Sequence, residues 1–251
     1  VAVAAYDFTG CCDSKLVHWF DFSDAEYGTT EVSQISGFTD LVGNAASNAV
    51  NGNVQYKLSV KNGLNAIYID SDETALTFDS AVAGRNPEVF MAYRVVCQCM
   101  RMSNHLGTDI SAGLIFGDDA NGYWFGTYRL DIDRIGVSKT NGSPLVNQPA
   151  SYDDWHVANF YFGESSSDGF LSIDGGTKIQ FGISGIFASS TLSKVSLGGT
   201  TITTLHLADN YIGEVLIFDD EITDSQRTTV TSELMNKWVH APCDASAAPT
   251  N

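Results

Sequence analysis

The sequence predicts an all-β domain: an antiparallel β-sandwich of the jelly-roll kind, with one α-helix at its C-terminal end. Turn dipeptides are dense, with Asn-Gly at four places and Asp-Gly at two, and such pairs supply the positive φ angles that tight hairpins need. Short runs of alternating apolar and polar residues lie between these turns, without intervening helical patterns. A parallel α/β sheet is therefore excluded.

Two of these runs predict the clearest strands. Residues 89–96 (VFMAYRVV) and 155–162 (WHVANFYF) alternate as half-buried antiparallel strands do. Shorter runs predict further strands in the same way. These are residues 65–69, 114–116, 123–128, 130–137, 170–173, 178–181, 195–197 and 202–207.

The segment YIGEVLIFDDEITDSQRTTVTSELMNKW, residues 211–238, predicts a strand followed by a helix. Residues 213–218 are mainly β-branched, aliphatic and aromatic, which is typical of a buried strand. After an acidic turn, Thr223 and Gln226 have the spacing of a capping box, in which each side chain bonds to a free backbone N–H at the other position. We therefore expect the helix to begin there.

The predicted helix carries one apolar stripe. Every fourth residue on that stripe is apolar: Val230, Leu234 and Trp238. The charged residues of the helix are expected to face water: Arg227, Glu233 and Lys237. We interpret Trp238 as a core residue because it shares the register of its apolar neighbours, and a ligand platform is the alternative. Replacing the exposed Lys237 should then change stability very little.

Composition excludes several classes of function. The chain has 251 residues, 43% of them hydrophobic, so it can build a sizeable core. No apolar run approaches the roughly 18–20 residues that cross a bilayer. Thirteen Lys and Arg against 30 Asp and Glu give a formal charge of −17, which would repel nucleic acid. An acidic surface is compatible with plain solubility, calcium ligation or adaptation to salty water.

We interpret residues 16–240 as one domain, preceded by an N-terminal arm (1–15) and followed by a tail (241–251). The opening VAVAAYDFTG lacks the basic start and long apolar stretch of a signal peptide, and is interpreted as a trimmed or processed end. The arm is expected to become ordered mainly against a partner. Five cysteines are too few for a disulfide scaffold and lack zinc-knuckle spacing, so reduced core thiols are expected.

Four pieces of sequence occur in a characteristic order. They are HWFDFSD (18–24), GFTDLVGNAASNAV (37–50), DDWHVANFYFGESSSDGFLSIDG (153–175) and the closing strand and helix that end in K-W. Together they resemble the concanavalin A-like lectin/glucanase superfamily, in particular its laminin-G-like jelly-roll domains, which are common in phage and bacterial surface proteins. The resemblance spans residues 16–240, and it implies a closing helix that packs across the end of the sandwich.

The resemblance to glucanases implies one enzymatic activity, glycoside hydrolysis, and the catalytic residues for it can be sought in the sequence. The related glucanases use two Glu within an E-x-D-x-x-E strand, because a retaining mechanism needs a nucleophile and an acid about 5 Å apart. That motif does not occur here, and DIDRIG (131–136) has carboxylates at alternate positions without a third in register. The five histidines have neither metal nor triad spacing, and there is no G-x-S-x-G elbow. We therefore expect no enzymatic activity.

A calcium ion is the one cofactor that the sequence suggests. The turn GDDANG places Asp118, Asp119 and Asn121 together, and their oxygens suit calcium. Laminin-G-like domains often hold one such ion at a loop rim. An ordinary solvated turn is the alternative.

A binding site for a glycan or a protein partner is predicted beside that turn. Tyr123, Trp124 and Tyr128 are candidates for an aromatic platform, although they alternate as core residues of a strand also do. Asp209 and Asn210, just before the closing strand, are candidates for further oxygen ligands.

We therefore expect a non-catalytic structural protein of a virion or other surface, a decoration or appendage component. Its location on a virion or outside the cell is implied by the resemblance alone. Its expected partners are other virion or surface proteins in an oligomeric assembly, and glycans in addition. The alternative is a glycan-binding adhesin or receptor-binding domain. The sequence offers no aromatic cluster strong enough to require a sugar, which favours the structural role.

Overall fold

The computed structural model describes residues 8, 15–23, 35–43, 45–52, 54–69, 75–80, 87–96, 113–118, 123–127, 134–139, 144–163, 168–181, 194–198 and 209–240. These residues form strands and one C-terminal helix. The strands are β1 (Leu16–Asp21), β2 (Ala45–Asn51), β3 (Val54–Lys61), β4 (Leu64–Ile69), β5 (Ala75–Ser80), β6 (Glu88–Val95), β7 (Gly113–Asp118), β8 (Tyr123–Thr127), β9 (Arg134–Lys139), β10 (Pro144–Pro149), β11 (Trp155–Tyr161), β12 (Gly169–Ile173), β13 (Ile179–Phe181), β14 (Lys194–Leu197) and β15 (Asn210–Phe218). Helix α1 (Asp224–Leu234) continues as a π-helical turn over Met235–Val239.

The strands form two antiparallel sheets, so the predicted fold class is confirmed. Sheet I has the order β13-β12-β11-β6-β15-β4-β3, with β1 paired to part of β15. Sheet II has the order β10-β9-β8-β7-β14-β5-β2. The inner faces of the two sheets enclose the main core, where aromatic rings from both sheets meet. Phe125 of sheet II, for example, stacks on Phe160 of sheet I with ring centroids 4.8 Å apart.

Strand β15 organises sheet I. One edge of it pairs with β6 along most of its length. Its other edge is shared, because residues 210–212 pair with β4 and residues 214–218 pair with β1. Gly213 lies at the change of partner, where the register with β6 also shifts. The closing strand that the sequence predicts is therefore the centre of the sheet.

A second core covers the outer face of sheet I. It contains apolar residues of β1, β6, β11 and β15 together with Val230, Leu234 and Trp238 of the helix, each of which is completely buried. The predicted apolar stripe is thus confirmed. The resemblance implies a helix that closes the end of the sandwich. The helix instead lies over the outer face of sheet I. Sheet I is consequently buried on both faces where the helix lies on it.

Helix α1 begins as its sequence predicts. The Thr223 side chain accepts a hydrogen bond from the backbone N–H of Gln226, and the Gln226 side chain accepts one from the backbone N–H of Thr223. The capping box is therefore present. It satisfies two backbone donors that the first turn of a helix leaves free.

The end of the helix corrects the expectation for Lys237. The last turn widens to a π-helix, in which the N–H of His240 bonds to the carbonyl of Met235. Lys237 is 9% exposed, and its Nζ donates to Asp21 Oδ2 and Glu214 Oε2, both at 2.7 Å. The prediction that Lys237 faces water is wrong, because two carboxylates on strands β1 and β15 lie beneath it.

Arg227 is also buried, contrary to the sequence-based expectation. It is 6% exposed, and its Nε donates to Glu88 Oε1 at 2.7 Å. The backbone N–H of Ile222 donates to the other oxygen of Glu88 at 2.9 Å. Buried ion pairs thus connect both halves of the helical segment to sheet I. Glu233, the third charged residue of the predicted set, is partly buried.

The sequence patterns miss strands β1, β2, β3, β5 and β10. Of these, β2, β3 and β10 are edge strands in the sheet orders given above. Strand β10 begins and ends with proline, which edge strands tolerate because a proline nitrogen cannot donate to a neighbour. Edge strands bury less of each face, so their apolar pattern is weaker.

Several expectations lie outside the described residues. These are the strand at 202–207, the cysteine thiols, the tail at 241–251 and most of the arm at 1–15. Within the arm, Phe8 is described: it is buried, and its ring packs edge-on against Trp19 at 5.5 Å. The arm therefore contacts the domain itself at this residue. Within the described ranges no helix is both long and apolar enough to cross a membrane.

Candidate binding surfaces

Of the residues predicted to hold calcium, Asp118 alone lies in a described strand. Asp118 ends β7 and pairs with Tyr123, which begins β8. Asp119 and Asn121 lie between these strands, outside the described residues, and the Asp118 side chain is not described either. Among the side chains that are described, no group of three or more His, Cys, Asp or Glu could hold a metal ion. The calcium site stays a prediction.

The predicted glycan site is divided between the two sheets. Tyr123 and Trp124 belong to β8 of sheet II, whereas Asp209 and Asn210 lie at the start of β15 in sheet I. The Asn210 side chain is completely buried, and Asp209 is partly exposed. Tyr128 lies outside the described residues, and the side chains of Tyr123 and Trp124 are not described. The aromatic platform therefore also stays a prediction.

A polar cleft lies beside the helix on the outer face of sheet I. Its volume is about 620 Å³, within the range of roughly 300–1,000 Å³ that is typical of ligand sites. Asn159 of β11 and Ser172 of β12, which are paired directly opposite each other, line it and are themselves nearly buried. One wall is the helix, with Thr228 and Ser232, and the other is the turn that follows β12. Hydroxyl and amide groups line these surfaces together with the charged side chains of Lys178, Asp224 and Arg227.

Charges at the cleft are already neutralised by neighbouring side chains. Lys178 Nζ bonds to Asp224 Oδ1 at 2.6 Å and lies 4.6 Å from the ring centre of Phe170. Arg227 lies on the same ring at 4.8 Å and is paired with Glu88. A ligand in the cleft would therefore meet paired cations and neutral polar groups. This environment suits an uncharged polar molecule.

A Ser–His–Asp cluster lies next to the cleft. Ser151 Oγ is 3.1 Å from His156 Nε2, and His156 Nδ1 is 2.6 Å from Asp174 Oδ2. These contacts resemble a catalytic triad. However, Nε2 is also 3.1 Å from the carbonyl oxygen of Ser151, and Ser151 Oγ donates to Asp154 Oδ2 at 2.8 Å.

The acceptors around His156 favour the charged ring. Burial alone opposes the charge, but the hydrogen bond and charge of Asp174, with the Ser151 carbonyl and the charge of Asp154, raise the pKa of His156 above its usual 6.5. In the charged ring both nitrogens donate protons, so neither is free to act as a base. Asp174 also accepts from the backbone N–H of Val157 at 2.8 Å through its other oxygen. The cluster joins the turn after β12 to strand β11.

Replacing His156 with Gln should destabilise the protein in a pH-dependent way. Glutamine can keep a hydrogen bond to Asp174 but cannot carry charge. Because the folded-state pKa of His156 is raised, its contribution is fully present below pH 6.5 and is lost as pH rises through the folded-state pKa. The difference in unfolding free energy between the wild type and His156→Gln, measured in urea from about pH 5.5 to 9, should therefore shrink with rising pH. A difference that grew with pH would show that the folded state holds the neutral ring.

Sequence reasoning did not identify this cluster or the cleft, although their residues lie in motifs that it singled out. His156 belongs to the W-H strand and Asp174 to the I-D-G hairpin. Asn159 is an amide within β11, all of whose residues are buried. A polar residue in such a strand indicates a specific hydrogen-bond partner. Here Asn159 Nδ2 donates to Glu88 Oε1 at 2.9 Å.

Solved structures with the same fold include binding domains of botulinum neurotoxins. The serotype D/C binding domain matches with a TM-score of 0.60 and 12% identity, over 88% of this chain and 53% of that one. The receptor-binding domain of the C/D mosaic serotype matches with a TM-score of 0.58 and 10% identity, over 88% and 52%. The binding domain of botulinum neurotoxin DC in complex with SialylT gives 0.59 and 12%, over 88% and 52%.

These matches show the fold alone, an antiparallel β-sandwich that also occurs in the binding domains of botulinum neurotoxins. The chain spans about half the length of the structures that it matches. No protein-family model matches the sequence, and no curated protein is similar to it.

Proposed function

We propose that this chain is a non-catalytic recognition domain that binds a glycan on a receptor. The observation that carries the proposal is the fold, which is that of toxin receptor-binding domains, one of them solved in complex with SialylT. The polar cleft and the partly exposed Tyr68 and Tyr211 on the outer face of sheet I are surfaces of the kind that bind sugars. The domain is laminin-G-like and acts at a virion surface or outside the cell.

The chemistry of the described surface supports binding without catalysis. His156 Nδ1 contacts Asp174 and Nε2 contacts the carbonyl oxygen of Ser151, so the charged ring has no nitrogen free to act as the base of a Ser–His–Asp triad. The cations beside the cleft, Lys178 and Arg227, are paired with carboxylates of the chain.

A glycan array probed with the 251-residue chain tests the proposal. We expect binding to a restricted set of glycans, with no hydrolysis products after prolonged incubation. Retention of no glycan would overturn the proposal. If the protein were then recovered in stoichiometric copies on a particle, the structural decoration or appendage role, with other virion or surface proteins as partners, would replace it.

A further inference from the structure

A row of polar and aromatic side chains crosses the outer face of sheet I beyond the helix. Direct pairing across five strands brings its members together. Gln55 pairs with Tyr68, Tyr68 with Tyr211, Tyr211 with Arg94, and Arg94 with Trp155. Residues that pair directly across an antiparallel sheet have side chains on the same face. We call these five residues the tyrosine–arginine row.

The row ends at the helix but is not covered by it. Trp155 is buried and stacks on Trp238 with ring centroids 4.6 Å apart. Tyr68, Tyr211 and Arg94 are only partly buried. The rings of Tyr68 and Tyr211 lie 4.9 Å apart. This part of the sheet therefore presents two neighbouring aromatic rings at the surface, which a sugar ring can contact through its C–H face.

Arg94 gives the row a positive charge, and no described carboxylate lies within hydrogen-bond distance of it. Its guanidinium lies 5.6 Å from the ring centre of Tyr211. Its nearest carboxylate among the described residues is that of Asp153, and the distance of 3.6 Å between them is too long for a hydrogen bond. The Asp153 side chain is 61% exposed to water. Of the Arg94 side chain, 28% is exposed. Arg94 is unlike the cleft cations, which are closely paired.

We infer that the tyrosine–arginine row binds an acidic sugar, with the carboxylate on Arg94 and the sugar ring against Tyr211 and Tyr68. A guanidinium recognises a carboxylate through two parallel hydrogen bonds, and Asp153 is held too loosely to prevent this exchange. In a chain with a net charge of −17, an anionic ligand needs such a local cation. Asp209 and Asn210 immediately precede Tyr211 of the row in sequence. This inference rests on the proposed function.

The test compares sialyllactose with lactose, which lacks the carboxylate, by titration calorimetry on the 251-residue chain. We expect sialyllactose to bind more tightly and its affinity to fall with added salt. Arg94→Gln should weaken sialyllactose binding roughly tenfold to a hundredfold, the range that hydrogen bonds to charged groups contribute, and should leave lactose unaffected. Arg134→Gln is the matched control, because Arg134 is a partly buried arginine of sheet II.

A further variant distinguishes the row from the cleft. Ser232 is exposed and lines the cleft, so Ser232→Trp should obstruct the cleft without unfolding the protein. We expect it to leave sialyllactose binding unchanged. If Ser232→Trp abolished glycan binding while Arg94→Gln did not, or if lactose bound as tightly as sialyllactose, the inference would be wrong and the proposed function would stand. If neither sugar bound and the array were empty, both would fall.

Discussion

Replacing Trp238 with alanine is expected to lower the free energy of unfolding by about 3–5 kcal/mol, through lost transfer energy and a residual cavity. The side chain is completely buried between the helix and sheet I. Its ring occupies the space that a side chain at position 213 would need, since a Cβ on Gly213 would lie 2.5 Å from it. Its Nε1 also donates to Glu214 Oε2 at 3.1 Å. Urea unfolding followed by circular dichroism measures the change.

The matched control for Trp238 is the exposed Ser232 on the same helix. Ser232→Ala should change the unfolding free energy by less than about 0.5 kcal/mol. An unchanged midpoint for Trp238→Ala, together with lost glycan binding, would contradict the structural role and would assign the tryptophan to a recognition surface.

Lys237→Ala is expected to cost a similar amount, about 3–5 kcal/mol, because it leaves two buried carboxylates without their cation. Glu214 is completely buried and Asp21 nearly so. Burial opposes the charge on Lys237, but the charges of Glu214 and Asp21 hold its pKa above the ordinary value. Burial and the charge of Asp21 raise the pKa of Glu214 despite Lys237. The measurement is again urea unfolding, at pH 7.

A double-mutant cycle shows whether charge is the cause. Combining Lys237→Met with Glu214→Gln should destabilise the protein by clearly less than the two single changes together. Lys237→Met alone leaves both Glu214 and Asp21 without their cation, whereas the double change leaves only Asp21 without it. Asn236→Ala, an exposed neighbour in the same turn, is the control, with a change of less than about 0.5 kcal/mol. If Lys237→Ala matched Asn236→Ala, Lys237 would be a surface residue in solution.

Local spacing was enough to predict the helix, its cap and its apolar stripe. Thr223 and Gln226 are three residues apart, and the stripe repeats every fourth residue, so no distant contact had to be known. The burial of Lys237 could not be predicted in this way. One of its partners, Asp21, is 216 residues away in sequence, and a lysine without a known partner is normally exposed. The burial of Arg227 could not be predicted for the same reason, since its partner Glu88 is 139 residues away in sequence.

The candidate surfaces also depend on contacts between residues that are distant in sequence. The W-H and I-D-G motifs contain His156 and Asp174, but only the pairing of β11 with β12 brings the two side chains together. The members of the tyrosine–arginine row lie on five different strands and are not neighbours in sequence. Only the register of those strands brings them together. Residue types alone could not show that Arg94 and Tyr211 are neighbours.

The central position of β15 has a consequence for biosynthesis. It follows every other described strand in sequence, yet β1, β4 and β6 all pair with it. Until residues 210–218 leave the ribosome, each of these strands has an edge with unpaired backbone groups, which is the form most prone to associate with other chains. Contacts so distant in sequence also form slowly. Sheet I should therefore assemble after translation of β15, and the nascent chain should depend on chaperones until then.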